Sequence, residues 1–297
     1  MAMAAAIVVA PGCATSSSTA PTTPSPSATA VSLQPPATTK PKHPVTYSAQ
    51  VDLPFGDFIN HLSGLAVDGA SNVYVLDSKY GQVWKQAAGA NRPTTLAFEQ
   101  IGQALQVAVD KAGNLYVTDG YHRRVVKLVP GVSNPTALPF GDLTDIAGVE
   151  VDIGGNVYAA DANRVLKLAP GASSAAVLPF GDVGRVTDVA VDADGNVYAA
   201  DAQAKRVLKL SAGASNPTIL PFGDLGQPAG VAVDTDGAVY VTDFNTNRVL
   251  KLAAGADNPS VLPFADLKGP SNVAFDKTGA VYVLDDGNFR VLRLAVR

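Results

Sequence analysis

The stretch GVAVDTDGAVYVTDFNTNRVLKLAAGADNPSVLPF, Gly230 to Phe264, contains four short β-rich runs separated by turn signals. GVAVD, AVYVTD, NRVLKL and SVLPF are the runs; Thr235-Asp236-Gly237, Phe244 to Thr246 and Gly255 to Pro259 separate them. Gly, Asn, Asp and Pro supply the backbone conformations that reverse a chain, so this stretch predicts one four-stranded antiparallel sheet. In the second run Val239 and Val241 fall on one face, and Tyr240 and the small Thr242 on the other. A sheet that is apolar or small on both faces must be covered on both.

The unit recurs. VAVD-like phrases place an aspartate at Asp68, Asp110, Asp152, Asp192, Asp234 and Asp276, at spacings of 42, 42, 40, 42 and 42 residues. A second series, Asp77, Asp119, Asp161, Asp201, Asp243 and Asp285, and the tyrosines Tyr74, Tyr116, Tyr158, Tyr198, Tyr240 and Tyr282 keep the same step. Six such sheets, each covered on both faces, predict an all-β, six-bladed β-propeller. The last repeat, Ser271 to Leu294, lacks a fourth strand, and AQVDLPF (Ala49 to Phe55) matches the missing one before any full repeat has begun. The N-terminal strand is therefore expected to complete the last blade and close the ring, which leaves no sheet edge open there.

The unit "LPF-G-D-L … GVAVD … G-N-VYV-D … NRVLKL … AG-S" resembles the NHL-repeat propellers, and among them the extracellular sensor domains of mycobacterial receptor-like serine/threonine kinases. The resemblance covers about residues 46–297 and implies an extracytoplasmic binding or sensing module. The chain has no Gly-rich phosphate loop, H-R-D or D-F-G segment, so a kinase is not expected. A metal-dependent lyase or hydrolase of the streptogramin-lyase type, or a structural interaction scaffold, are the alternatives that the fold leaves open.

Residues 1–13 end in Gly12-Cys13 after a run of small apolar residues and resemble a bacterial lipoprotein signal, which implies lipidation at Cys13. Residues 14–45 are almost wholly Pro, Ser, Thr and Ala. Such a segment buries too little apolar surface to offset its ordering entropy and is expected to act as a stalk of up to about 100 Å. Residues 46–297 form the propeller in this reading. The expected location is extracytoplasmic, membrane-anchored or secreted, with the membrane reached through the lipid alone; no apolar run approaches the roughly 18–20 residues of a span. The net charge of −4 disfavours nucleic acid as a partner. A glycan, peptide or protein of the cell envelope is the expected partner, and no cofactor is expected.

Chemistry is sought where the repeat is broken. An aspartate present in every blade is expected to hold that blade's loop with the arginine that follows it, in the pairs Asp119–Arg124, Asp161–Arg164, Asp201–Arg206, Asp243–Arg248 and Asp285–Arg290, with Gln82 in blade one. No catalytic residue and no metal ligand is assigned: Cys13 is the sole thiol, no G-x-S-x-G motif occurs, and DADGN (Asp192 to Asn196) reads as a hairpin turn. Glu150 stands where the other blades have Ala66, Ala108, Ala190, Ala232 and Ala274, and the adjacent loop between Asp161 and Arg164 holds only Ala162 and Asn163. These two departures predict a notch in the loop face beside an inner carboxylate. Tyr80, Tyr121, His122, Arg123, Arg185, Phe244, Asn245, Asn288 and Phe289, on variable loops, complete the candidate ligand-binding set. Acylation at Cys13 is checked by detergent-phase partition of the protein expressed with its signal. The wild type should enter the detergent phase, Cys13→Ala should stay in the aqueous phase, and cytosolic recovery of the wild type would refute the anchor.

Overall fold

The computed structural model describes residues 46–55, 61–96 and 101–297. Cys13, the signal segment and the expected stalk lie outside the described residues. Within the compact unit Pro44–Arg297, six four-stranded antiparallel sheets follow one another around a ring. Blades one to five take their strands consecutively; blade five, for example, is built from Pro228–Val233, Val239–Asp243, Arg248–Leu252 and Ser260–Val261. The first strand of each blade lies innermost, against the first strands of its two neighbours, and the first strands of blades six and one meet to complete the circle.

Each interface between blades is a separate apolar core. Between blades two and three, Tyr116 and Val125 pack against Ile146, Val149, Val157 and Leu166, and Phe140 of the LPF phrase seals the seam from the connector. The second strands are buried along their whole length, as two-sided stacking requires. The same phrase seals three other seams through Phe55, Phe180 and Phe222, with Phe264 partly buried between blades five and six.

Blade six has the order Val51–Leu53, Arg290–Leu294, Val281–Asp285, Pro270–Phe275, so its outer strand comes from the N-terminal side. Val51, Asp52 and Leu53 pair with Arg293, Leu292 and Val291. Four further contacts extend the seam. Ser48 N–H donates to the Ala295 carbonyl at 2.8 Å and Arg297 N–H to the Thr46 carbonyl at 2.9 Å. The Gln50 amide grips the Ala265 backbone, accepting from its N–H at 2.8 Å and donating to its carbonyl at 3.3 Å. Arg290 meets Asp52 at 3.4 Å.

Deleting residues 47–55 removes this strand and pulls Phe55 out of the core between blades six and one. Melting temperature should fall by more than about 6 °C, since losing one buried Phe costs roughly 3–5 kcal/mol. Deleting residues 14–40 should leave it unchanged. Equal melting of the two truncations, followed by calorimetry, would refute closure by this strand.

Candidate functional site

The loop-bearing face carries the connectors between blades and the loops between second and third strands, and one buried carboxylate per blade organises it. Asp119, Asp161, Asp201, Asp243 and Asp285 are fully buried at the ends of their second strands. One side of each carboxylate takes N–H groups of the incoming connector: Thr144 and Asp145 reach Asp161 at 2.8 Å, and Lys268 reaches Asp285 at 2.7 Å. The other side takes the arginine of the third strand, at 3.0 Å for Arg124, 2.7 Å for Arg164, 3.1 Å for Arg206, 3.1 Å for Arg248 and 2.7 Å for Arg290. Arg164, Arg206, Arg248 and Arg290 also donate to connector carbonyls, of Asp142, Asp182, Asp224 and Asp266. In blade one the second-strand carboxylate, Asp77, accepts from the N–H groups of Lys79 and Tyr80.

These clamps hold the variable side chains on one face. Tyr80, Tyr121 and Phe289 are 65%, 78% and 52% exposed, on blades one, two and six, which are neighbours in the ring. Lys79 lies over the Tyr80 ring, and His122 meets the Tyr121 ring edge-on. His122 Nδ1 is 2.8 Å from Asp119. Arg123, Lys205, Asn247 and Phe289 all occupy the left-handed region, with φ of 51° to 54°, at the slot where blade one has Gly81, and Ala162 does so in the short loop of blade three, so this is the turn that every blade uses. A non-glycine residue held there carries strain of order 1 kcal/mol, which the repeated loop structure sustains in each blade.

Other candidates are placed differently. Arg185 pairs with Asp145 at 3.4 Å on the surface between blades three and four. Asn163 and Asn245 are exposed, whereas Phe244 is half-buried against Gly269. The Asn288 amide is taken up by Asp285 and the Asp266 carbonyl.

The notch expected in blade three does not exist. Ile146 pairs with Asp161, beside the short loop, while Glu150 pairs with Tyr158, near the turn at Asp152. Four residues of strand, about 13 Å at roughly 3.3 Å per residue, separate the two departures, so they lie at opposite ends of the blade. Position within a repeat placed both on the inner side; strand direction put them at different faces.

Glu150 lines instead a cavity of about 250 Å³ in the central channel. The pairing register slips near the second and third residues of every first strand, and such a bulge re-aims a side chain. The third residues read Gly64, Gln106, Gly148, Asp188, Gly230 and Asn272, a strict alternation of glycine and polar side chains. Sequence reasoning missed this set, although the alternation is visible once the repeats are aligned. Gln106, Asp188 and Asn272 are buried and line the cavity at its loop-face end; the remaining lining comes from residues nearer the turn face. Each large residue lies over the glycine of the preceding blade: a Cβ at Gly148 would fall 2.7 Å from the Asp188 carboxylate, and one at Gly230 2.9 Å from Asn272 Cα. Asp188 accepts from Gln106 Nε2 at 3.3 Å and from Val231 N–H at 3.0 Å, which ties blades two, four and five across the axis.

Burial pushes the Glu150 carboxyl up to about 8, against the hydrogen bond from Val151 N–H and with the help of the nearby Asp188 and Asp152 charges. Burial likewise lifts Asp188 to about 7, against hydrogen bonds from Val231, Val189 and Gln106. Neither forms a salt bridge with a described residue, so no buried arginine depends on Glu150. At the channel's turn face, burial opposes charge on Asp152, but hydrogen bonds from Asn156, Tyr158 and Gly154 N–H hold its carboxyl below the usual range.

The NHL repeat pattern matches residues 225–252, in blade five and the connector before it. No curated protein matches the chain at a significant level. Among solved structures the chain is similar to a gluconolactonase from Xanthomonas campestris, with TM-score 0.70 and 13% identity over 84% of this chain and 89% of that one. A streptogramin B lyase gives TM-score 0.63 and 12% identity over 85% and 98%. A chain of a nidogen/laminin complex gives 0.64 and 20% over 72% and 84%. At such identities the likeness shows the fold, which hydrolytic enzymes, lyases and binding proteins share.

The raised carboxyls make a pH prediction for chelator-treated protein. A group whose folded pKa lies above its unfolded value binds its proton longer in the folded state, so stability falls as pH rises between the two. For Glu150 that window runs from about 4.5 to about 8, and for Asp188 from about 3.8 to about 7. Glu150→Ala, which restores the alanine of the other blades, should raise the melting temperature by a few degrees at pH 8 and by less at pH 5. Destabilisation at pH 8, read by differential scanning calorimetry, would show that Glu150 has a stabilising partner. These features describe an all-β, six-bladed propeller with an NHL repeat in its fifth blade.

Proposed function

We propose that this propeller is a non-catalytic, extracytoplasmic binding module that takes a peptide or glycan of the cell envelope on its loop-bearing face. The observation that carries the reading is the exposure of Tyr80, Tyr121 and Phe289 on three neighbouring blades. Aromatic side chains give a large rigid contact area at low entropic cost, and tyrosine adds a hydrogen-bonding tip. Lys79 and Arg123 add positive charge that suits acidic groups on the ligand. Gln106, Asp188 and Asn272 place buried polar side chains in the channel below this face. Display at the cell surface, through lipid on Cys13 and the Pro/Ser/Thr-rich segment, completes the proposal.

A second reading rests on one contact. His122 is oriented by Asp119 and half-exposed, the arrangement a general acid or base requires, which suits a lyase acting on this face.

A binding screen with peptidoglycan fragments and envelope-derived peptides tests the first reading. Any ligand found should lose affinity at least about tenfold when Tyr80, Tyr121 or Phe289 becomes alanine, with melting temperature unchanged. Unchanged affinity in the triple variant would refute it. Turnover of a streptogramin B lactone that is abolished by His122→Ala would establish the second reading instead.

A further inference from the structure

The channel cavity holds oxygen donors that neither the clamps nor the loop face uses. Its lining combines Leu, Ala, Val and Phe residues with Gln106, Glu150, Asp188 and Asn272, and no Lys, Arg or His of the described chain lines it. Two carboxylates thus share the channel cavity without a cationic side chain, so either a proton or a bound cation must offset their charge there. A carboxylate offers about four acceptor positions. Glu150 is shown accepting only from Val151 N–H. Asn272 is 6% exposed, lines the same cavity and makes no side-chain hydrogen bond with a described residue. A buried amide without a partner is rare enough to require a ligand or water.

These groups converge by construction. Asp188 binds Val231 N–H, and Asn272 lies against the adjoining Gly230, so the two flank the same short stretch of blade five. Glu150 lies two residues along from Gly148, the glycine that Asp188 covers. Gln106 does not compete for a ligand, because its carbonyl accepts from Leu65 and Val107 N–H while its amide steadies Asp188. Beside the cavity, and sharing Val67 and Phe275 with it, a cleft on the turn face across blades five, six and one is lined by Asp68, Asp234, Asp236 and Asp276, with Lys277 in the lining and Lys251 3.7 Å from Asp234. Clustered carboxylates draw in cations.

We propose that the channel binds a divalent cation, Ca²⁺ above all, through the carboxylates of Asp188 and Glu150 and the side-chain oxygen of Asn272, with water filling the rest of its shell. The donors are all oxygen, which selects a hard ion. Ca²⁺ accepts six to eight ligands in irregular geometry, whereas Mg²⁺ demands a near-ideal octahedron. Such an ion would join blades three, four and six at the axis.

Calorimetric titration of EDTA-stripped full-length protein with CaCl₂, MgCl₂ and KCl, paired with thermal melts, tests the site. One Ca²⁺ per chain should bind, in preference to Mg²⁺ and K⁺, and raise the melting temperature. Glu150→Ala, Asp188→Asn and Asn272→Ala should each weaken Ca²⁺ by about tenfold or more. Glu150→Ala carries the residue of the other blades, so its loss of Ca²⁺ binding is readable without a folding defect. Absence of Ca²⁺ binding to the wild type would overturn the proposal. So would undiminished binding to Glu150→Ala and Asp188→Asn, which would move the ion to the turn-face aspartates.

Discussion

A buried carboxylate at the end of each second strand is the constraint on which the loop-bearing face depends. The connector that enters a blade has no regular structure to satisfy its N–H groups, and an aspartate such as Asp161 does so from within the protein. The charge would be costly there alone, so the arginine that opens the third strand compensates it and ties a connector carbonyl as well. One residue pair therefore fixes three chain segments. Since both partners lie in the same blade, the device can be repeated without depending on what the neighbouring blade contains. The loops above are free to vary in sequence because their bases are held.

The channel follows a different logic, in which neighbouring blades are not equivalent. Six first strands converge on the axis, and six large side chains at one level would collide. Alternating glycine with Gln106, Asp188 and Asn272 leaves each polar side chain a place over its neighbour's glycine. The result joins distant parts of the chain, as in the hydrogen bond between Gln106 and Asp188. The molecule also presents a loop face, rich in exposed aromatic side chains, and a turn-face cavity lined with oxygen donors beside a cleft lined by aspartates.

The sequence by itself determined the number of blades, the strands within each, the ring closure by the N-terminal strand and the pairing of Asp161 with Arg164. All of these are local or periodic: a 42-residue step, an apolar pattern on both faces and turn residues at fixed offsets are properties of the chain read in order. Glu150 was visible as an anomaly for the same reason, since a repeat makes its own exceptions conspicuous. Which end of the blade Glu150 occupies, and what it faces, was decided by tertiary structure. Strand direction placed it at the turn face, away from the short loop. A bulge, which the alternation of a strand does not announce, turned the third residue of each first strand into the axis. The meeting of Gln106, Asp188 and Asn272 exists only once the ring closes, because blades far apart in the chain come together there, and no pattern within a single repeat contains the neighbour that each side chain will find.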